Sequence, residues 1–291
     1  MKFAIYGKRF EAEYAEHVES LFDALIRRGV KITVNEKFKR FITQFFALPD
    51  TVGVYTSHQE MRDSNFLISV GGDGTLLDTA RYIRDSKIPV LGVNTGRLGF
   101  LSLVDVGHIE QAVEALINGE FTLDKRTLLE IKSEQQEFGE FPYALNEVTI
   151  LNRERNSMVT IHAYVNDLYM STYWADGLIV ATPTGSTAYS LSCGGPIVTP
   201  DSNNIIISPI APHNLTVRPL VLSSTNKVSL RAEGRSTEFQ LTIDSRSYFI
   251  NPETIIELQR APFEFHLVSL EGQSFFNTIR NKMGWGLDRR N

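Results

Sequence analysis

The chain has 291 residues, of which 42% are hydrophobic and 22% are charged, a balance typical of a globular protein with two ordinary domains. Its formal net charge of −5 argues against nucleic acid or an anionic membrane surface as the main partner, because both require basic patches. No apolar stretch approaches the roughly 18 residues that span a bilayer. The single cysteine, Cys193, excludes an internal disulfide, so we expect a cytoplasmic protein.

The first third of the chain alternates strand and helix signals. Residues 1–8 are typical of a first strand, apolar residues recur at helical spacing from Phe10 to Leu25, and Gly29 ends that helix. Further strands are predicted over residues 30–34, 66–70 and 88–93, and a further helix over 106–117. Alternation of this kind predicts a parallel sheet covered by helices.

A glycine-rich turn, Gly71–Thr75, leaves the strand at 66–70 and opens a helix that continues to Ile83. Its three glycines let an anion approach the backbone closely, and the helix N-terminus offers free N–H groups and the positive end of a dipole. Asp73 lies inside this turn, where a carboxylate opposes phosphate binding unless it takes part in chemistry or holds a metal. The combination indicates phosphoryl transfer. The alternative is an ordinary strand-to-helix turn in which Asp73 caps the helix. We expect a Cβ at Gly72 to block phosphate and also to strain the turn.

Alternation with a period of two dominates from about Phe121 onward. It covers residues 227–232, continues across the turn at 233–235 into 239–243, and recurs at 263–267, while Asn166-Asp167 predicts another turn. The tail returns to a helical pattern from Phe275 to Met283, and Gly284 follows as a stop signal. We expect this last helix to pack on the N-terminal domain.

The predicted fold class is therefore an α/β domain with a parallel sheet, followed by a β-rich domain of two sheets and a C-terminal helix that returns to the first domain. The expected boundaries are residues 1–121 for the α/β domain, 122–268 for the β-rich domain and 269–291 for the tail.

Three further segments carry polar groups in apolar surroundings. Asp176–Pro196 combines hydroxyls, glycines and a tyrosine, which suits recognition of ribose, phosphate or a base edge. The alternative is a Ser/Thr-rich turn system. In Leu145–Val148, an Asn and a Glu can hold a ribose hydroxyl pair or an amide, unless they are merely two exposed residues at a strand edge. Asn94–Leu101 is another turn after a strand.

Together these segments resemble the NAD kinase family. The order of Gly71–Thr75, Asn94–Leu101, Leu145–Glu147 and Asp176–Pro196 is that of the family, and similarity continues through Ile210–His213, Arg218–Leu220, Phe275-Phe276 and Met283–Gly286. The glycine turn alone is shared with diacylglycerol-type lipid kinases and phosphofructokinases, whereas the 176–196 block is far more specific.

Two positions depart from the family pattern. Many members have a basic residue shortly before the Asp-Gly at 176–177, where this chain has Tyr173-Trp174-Ala175. Many also have Asp-Gly where this chain has Asp244-Ser245-Arg246. Arg246 is therefore either a phosphate contact or a surface residue at a strand end.

The resemblance implies ATP-dependent transfer of the γ-phosphoryl group to the 2′-hydroxyl of the adenosine ribose of NAD, giving NADP and ADP. It also implies a divalent metal ion, Mg²⁺ or Mn²⁺, and assembly as a homodimer or homotetramer. The competing hypotheses are a lipid kinase of the diacylglycerol type and a non-catalytic nucleotide sensor.

When the family's residue roles are carried over by position, the resemblance implies that Asp73 is the catalytic residue, which contacts the ribose hydroxyl. The turn residues around it would meet the phosphates and the substrate: Gly71, Gly72, Gly74 and Thr75. Asn146 and Glu147 would hold the adenosine ribose. The adenosine pocket would be lined by Thr187, Ala188, Tyr189 and Ser192, and the other end of the substrate would meet Asp176 and Ala211 across a subunit interface.

Overall fold

The computed structural model describes residues 1–96, 98–152 and 158–285. Arg97 of the Asn94–Leu101 turn and Gly286 of the tail motif lie outside the described residues. The chain divides into two compact units. The terminal unit comprises residues 1–125 and 265–291, and the central unit comprises residues 126–264.

The elements are numbered in chain order. The helices are α1 (Ala15–Arg27), α2 (Glu36–Ile42), α3 (His58–Met61), α4 (Asp73–Ile83), α5 (Ile109–Asn118), α6 (Tyr189–Ser192) and α7 (Phe275–Met283). The strands up to residue 152 are β1 (Lys2–Gly7), β2 (Lys31–Asn35), β3 (Gly53–Tyr55), β4 (Phe66–Val70), β5 (Val90–Asn94), β6 (Val104–Asp105), β7 (Phe121–Lys132), β8 (Tyr143–Ala144) and β9 (Glu147–Asn152). The later strands are β10 (Val159–Val165), β11 (Leu168–Ala175), β12 (Gly177–Ala181), β13 (Asn204–Ile210), β14 (Leu220–Ser223), β15 (Val228–Glu233), β16 (Phe239–Ile243), β17 (Arg246–Ile250) and β18 (Ile255–Leu270).

The terminal unit contains the predicted parallel sheet. Its strands run in the order β3–β2–β1–β4–β5, every neighbouring pair is parallel, and the end of β18 pairs with β5 through Leu267 and Val90. All residues of β4 and β5 are buried, because a parallel sheet with helices on both faces needs apolar side chains on both. The fold class predicted for this half is confirmed.

The order of the strands creates a switch point between β1 and β4. From β1 the chain moves outward to β3 and then returns to the other side of β1 with β4. Gly7 at the end of β1 lies beside Val70 at the end of β4. The residues that follow these strands therefore leave the sheet side by side, at the position where doubly wound sheets bind ligands.

The C-terminal segment returns to the terminal unit, as predicted. Val268 belongs to the same apolar core as α1 and β1, and the Gln273 side chain donates to the Leu103 carbonyl over 3.2 Å. Within α7 the expected apolar face is only partly buried: Ile279 is in the core, whereas Phe276 is 62% exposed. Gly284 ends the helix in the left-handed conformation with φ of 60°.

The central unit consists of two antiparallel sheets. One contains β11, β10, β15 and the first part of β18, and the other has the order β14–β13–β12–β9–β16–β17. Their inward side chains form one apolar core, and β10 shows the expected alternation of buried and accessible residues. Asn166 and Asp167 form the predicted tight turn, both with positive φ, which a two-residue hairpin requires.

The turn at 233–235 does not join two paired strands. β15 pairs with β10 and β18, whereas β16 pairs with β9 and β17. The alternation predicted from the sequence shows which side chains face inward, but two strands that face the same core from opposite sheets give the same pattern.

No helix within the described ranges has the length and apolarity to span a membrane.

Candidate active site

The glycine turn after β4 has the geometry of an anion site. Gly71 has φ of +143°, and a Cβ there would lie 2.5 Å from Thr75 Oγ1, so only glycine fits. Gly72 is the N-cap of α4, with φ of −84°, and its Cβ direction points into open space. The expectation that a side chain at Gly72 strains the turn is therefore wrong, because that backbone conformation is open to any residue. In the first turn of α4, the Thr75 N–H donates to the Gly72 carbonyl over 2.9 Å, whereas the N–H groups of Asp73 and Gly74 have no intrahelical partner.

The carboxylate of Asp73, the first residue of α4, is held by three consecutive backbone amides. Phe100 N–H donates to Oδ2 over 2.7 Å, and the N–H groups of Leu101 and Ser102 donate to Oδ1 over 3.0 Å each. These donors belong to the Asn94–Leu101 turn and the residue that follows it. The structure thus joins two of the motifs found in the sequence, and Asp73 does not act as a simple helix cap.

A cavity of about 770 Å³ lies beyond the ends of β1 and β2 in the terminal unit. Its walls carry one carboxylate, Asp78, and five cationic side chains: Lys8, Arg9, Lys37, Arg40 and Arg81. Aromatic rings from Tyr6, Phe38, Phe41 and Tyr82 complete the lining. Volume, positive charge and flat apolar surfaces together suit a nucleotide with several phosphates.

Asp78 organises the part of this cavity nearest β1. Its carboxylate lies 2.6 Å from Lys8 Nζ and accepts a hydrogen bond from the Tyr6 hydroxyl over 3.2 Å. Burial and the Asp78 carboxylate raise the pKa of Tyr6, so this hydroxyl stays protonated and donates. The cations of the cavity were not predicted from the sequence, since they are scattered between residues 8 and 81. The available signal was Lys8-Arg9 directly after the first strand of a doubly wound sheet.

In the central unit, a buried carboxylate fixes the corner that carries Asn146 and Glu147. Asp244 accepts the backbone N–H groups of Leu145, Asn146 and Glu147 over 2.8, 2.8 and 3.1 Å. Gly185 lies against this corner so closely that a Cβ would come within 2.2 Å of the Asn146 carbonyl oxygen. The hydroxyl-rich block and the Asn-Glu pair are therefore one packed structure.

Arg246, at the start of β17, is bound to backbone groups of the same unit. Its guanidinium donates to the carbonyl oxygens of Phe141 and Tyr143, which precede the Asn146 corner. It also lies over the Phe141 ring at 5.4 Å. Asp244 and Arg246 thus hold one loop by its N–H groups and by its carbonyls.

The side chains at this corner present acceptors that have no partner. Asn146 Oδ1 and Glu147 Oε2 are buried and make no hydrogen bond with any described residue, although the Tyr189 backbone N–H donates to the Glu147 carboxylate. Burial, and then the Asp244 charge, raise the pKa of Glu147 to about 8. Orphaned acceptors at this position suit hydroxyl donors from a ligand.

Burial divides the hydroxyls of the 176–196 block into two groups. Ser190 and Ser208 share a buried hydrogen bond of 2.8 Å, and Ser186 donates to the Pro183 carbonyl, so these serines stabilise the fold. The hydroxyls of Thr187, Tyr189 and Ser192 belong to accessible residues, and Ala188 is accessible too. The four positions expected to line a pocket can therefore be reached by a ligand, as can other residues of the block such as Leu191 and Gly194.

Asp176 and Ala211 lie together at one end of β12. Gly177 pairs with Ile210, and Asp176 N–H donates to the Ile210 carbonyl over 3.0 Å. Glu147 pairs with Ala181 at the other end of this five-residue strand. Burial, and then Cys193 and the Asp176 charge, raise the pKa of the Tyr189 phenol.

The donor set does not include a protein cage for a metal. Among residues 1–96, 98–152 and 158–285, no three His, Cys, Asp or Glu side chains converge. The two carboxylates of α4 are Asp73, held by amides, and Asp78, paired with Lys8. Mg²⁺ commonly keeps several waters and binds one or two carboxylates together with substrate phosphates. The residues present fit an ion that arrives on a nucleotide.

Two protein-family models match this chain. The model of the ATP-NAD kinase N-terminal domain matches residues 3–121, and that of the ATP-NAD kinase C-terminal domain matches residues 145–270. The chain belongs to the NAD kinase family. Members of this family are phosphotransferases.

Relatives of known name match this family member over its full length. It is 39% identical over 292 residues to the NAD kinase of Cytophaga hutchinsonii, with complete coverage of both chains. It is 42% identical over 287 residues to the NAD kinase of Porphyromonas gingivalis, with 98% of each covered.

Solved structures of NAD kinases share the fold. Yeast NADH kinase complexed with NADH superposes with a TM-score of 0.88 over 99% of this chain and 88% of the other, and at 22% identity this likeness shows the fold alone. An NAD kinase from Archaeoglobus fulgidus in complex with ATP has a TM-score of 0.73 and 26% identity, with 98% of each chain covered.

A methyl group added at Gly71 should affect stability, whereas one added at Gly72 should affect ATP binding. Gly71→Ala should lower the free energy of unfolding by about 1–3 kcal/mol, because both its φ and its contact with Thr75 exclude a Cβ. Gly72→Ala should leave thermal unfolding almost unchanged but weaken ATP binding, because the methyl group occupies the open space that a phosphate needs. Thermal unfolding without ligand and titration with ATP measure both. Full ATP affinity in Gly72→Ala would show that the phosphates bind elsewhere.

Glu147 predicts a pH-dependent contribution to stability. Its pKa rises from 4.5 to about 8 on folding, so the stabilisation by the buried protonated carboxyl is complete below about pH 4.5 and is lost as the pH rises towards 8. Glu147→Gln removes this titration. The stability of the variant relative to the wild type should therefore increase between these pH values, by up to about 1.4 kcal/mol per pH unit.

Denaturant unfolding at several pH values measures this difference. The matched control is Glu253→Gln, at an exposed carboxylate of the same unit, which should follow the wild-type curve. Parallel curves for Glu147→Gln and the wild type would contradict the burial of an uncharged Glu147.

Proposed function

We propose that this chain transfers the γ-phosphoryl group of ATP to the 2′-hydroxyl of the adenosine ribose of NAD, giving NADP and ADP. One observation carries the proposal: the switch point of the parallel sheet places an anion-binding turn that contains Asp73 beside the basic residues that follow β1. A carboxylate held in one orientation inside an anion-binding turn is the equipment of a phosphotransferase.

ATP is proposed to occupy the basic cavity with its phosphates directed to the glycine turn. Gly72 and Gly74 would offer N–H groups to the phosphates, whereas the N–H groups of Gly71 and Thr75 donate to the Val93 and Gly72 carbonyls, so these two residues would shape the turn. Lys8 and Arg9 follow Gly7, which pairs with the last residue before that turn, so their charges stand beside the same phosphates. The aromatic walls suit the purine.

Asp73 is proposed as the catalytic residue. In a loose phosphoryl-transfer transition state the nucleophile needs orientation more than deep deprotonation, so a carboxylate that accepts a hydrogen bond from the 2′-hydroxyl and takes its proton late is sufficient. A bound Mg²⁺ or Mn²⁺ would neutralise charge on the phosphates.

The adenosine end of NAD is proposed to bind the central unit. Asn146 Oδ1 and Glu147 Oε2 would accept hydrogen bonds from the ribose hydroxyls, which would satisfy two buried acceptors that otherwise lack partners. The accessible Thr187, Ala188, Tyr189 and Ser192 would line the adenosine pocket. Asp176 and Ala211, at the far end of β12, would meet the other end of the substrate from a neighbouring subunit.

The direct test is formation of NADP from NAD, ATP and Mg²⁺, with Asp73→Asn as the variant. We expect turnover to fall by about 10²–10⁴-fold, the usual contribution of a proton-accepting group. The substitution also places an NH₂ group among the amide donors that hold Asp73, so thermal stability is measured in parallel.

Arg62→Ala, an exposed cation outside the cavity, is the matched control and should retain wild-type turnover. Turnover of Asp73→Asn within threefold of the wild type would refute the assignment. Phosphorylation of a diacylglycerol but not of NAD would identify a lipid kinase. Binding of NAD without release of ADP would identify a sensor.

A second prediction concerns assembly as a homodimer or homotetramer. Trp174, at the end of the edge strand β11 that precedes Asp176, is 51% exposed, and Tyr169, near the start of that strand, is 61% exposed, whereas Tyr173 is buried in the core. Exposed aromatic residues of this kind are typical of interface centres. Mixed oligomers of inactive Asp73→Asn and inactive Asp176→Ala chains should regain part of the activity, because some shared sites draw both wild-type residues from different subunits.

Sedimentation and the NADP assay on co-refolded chains measure this complementation. Asp73→Asn chains that are refolded alone are the control and should stay inactive. Near-zero activity in verified mixed oligomers, or a monomer active at every dilution, would contradict shared sites.

A further inference from the structure

The amides of Phe100, Leu101 and Ser102 form a clasp around the Asp73 carboxylate, and one neighbouring residue makes the clasp possible. We propose that Gly99 is a positioning residue for phosphoryl transfer, because it lets the clasp close on Asp73 in a single orientation. The inference rests on the proposed function, in which Asp73 orients the acceptor hydroxyl.

The clasp leaves Asp73 with one defined acceptor position. A carboxylate has about four lone-pair sites on its two oxygens. Leu101 and Ser102 both donate to Oδ1, and Phe100 donates to Oδ2, so Oδ1 is saturated and Oδ2 retains one site. The hydroxyl to be phosphorylated therefore has one atom to bind, in a direction fixed by the three amides.

The clasp itself is anchored in the terminal unit. Leu101 and Ser102 are buried, and Ser102 lies so close to β5 that a Cβ at Gly92 would come within 2.7 Å of its Cα. Gly99 N–H donates to the Ser102 carbonyl over 3.3 Å and closes the loop on itself. On the outer side, Lys282 of α7 lies over the Phe100 ring at 4.9 Å. The donors are thus fixed before any substrate binds.

Gly99 is required by the carboxylate and not by its own backbone. A Cβ at this position would lie 1.8 Å from Asp73 Oδ1 and 2.4 Å from its Cγ, while its φ lies outside the positive range that favours glycine. A methyl group at Gly99 must therefore displace the Asp73 side chain. The three atoms nearest to that Cβ all belong to the Asp73 carboxylate, and Asp73→Ala removes them.

The experiment compares Gly99→Ala with Gly96→Ala, whose Cβ would approach only Asn94 Oδ1, at 3.8 Å. Gly99→Ala should lower kcat by about 10–100-fold, the effect of misplacing a reacting group by roughly 1 Å. The KM values for ATP and NAD should stay within about threefold of wild type, and Gly96→Ala should keep kcat within about twofold. An unchanged kcat in folded Gly99→Ala, or a loss that appears only as raised KM, overturns the proposal.

Two readouts do not depend on activity. In wild-type protein with selectively ¹⁵N-labelled Phe, Leu and Ser, the amide protons of Phe100, Leu101 and Ser102 should be shifted downfield by the carboxylate, and Gly99→Ala should remove these shifts. If Gly99→Ala is destabilised, the double variant Asp73→Ala/Gly99→Ala should unfold at the temperature of Asp73→Ala alone. Persistent downfield shifts in Gly99→Ala, or additive destabilisation in the double variant, overturn the clasp. A wild-type chain that makes no NADP but passes both tests would refute the proposed function and leave the clasp intact.

Discussion

A carboxylate placed inside an anion-binding turn is the constraint on which the terminal unit depends. Two like unit charges, such as a carboxylate and a phosphate oxygen, repel each other by about 4 kcal/mol when they are 4 Å apart at an effective dielectric constant of 20. A hydrogen bond to a charged group contributes about 1.5–3 kcal/mol, so the three amides around Asp73 can outweigh that repulsion. The cations after β1 act on the phosphate side of the same balance. The switch point makes the arrangement possible, because it brings the ends of β1 and β4 together, while the loop that follows β5 supplies the amides.

The central unit uses the same device for a different purpose. Asp244 also accepts three consecutive backbone N–H groups, those of Leu145 to Glu147. Burial raises the pKa of Asp244, whereas the three amides and Arg246 lower it and support the charged form. At Asp73 the amides hold the carboxylate that we propose as catalytic. At Asp244 the carboxylate holds the backbone, and this backbone carries the side chains that we propose to bind the ribose.

Local patterns in the sequence predicted the parts of the site that are continuous in the chain. Asp73, Asn146 and Glu147 each lie in a short segment whose strand, turn or helix context follows from neighbouring residues. Arg246 could not be placed in this way, because its partners are carbonyl groups about a hundred positions earlier. The difference between Gly71 and Gly72 was equally hidden, since it depends on one φ value and on the position of Thr75. The parallel sheet followed from alternation of elements, but the crossing at 233–235 did not, because periodicity specifies a face and not a partner strand.

Two unpartnered acceptors persist in the central unit because the structure prevents them from relaxing. Leaving Asn146 Oδ1 and Glu147 Oε2 buried without donors costs about 1–3 kcal/mol each, and a mobile loop would rotate them towards water. Here Asp244 holds the amides of the corner, Thr182 N–H donates to the Asn146 carbonyl over 2.8 Å, and Gly185 packs on that same carbonyl. A ligand whose hydroxyls donate to these two acceptors would recover the free energy that is lost by burying them without donors. Because the corner is rigid, a ligand that satisfied these acceptors would gain affinity from the stability that the unliganded protein loses. The raised pKa of Glu147 indicates that this loss is present before any ligand binds.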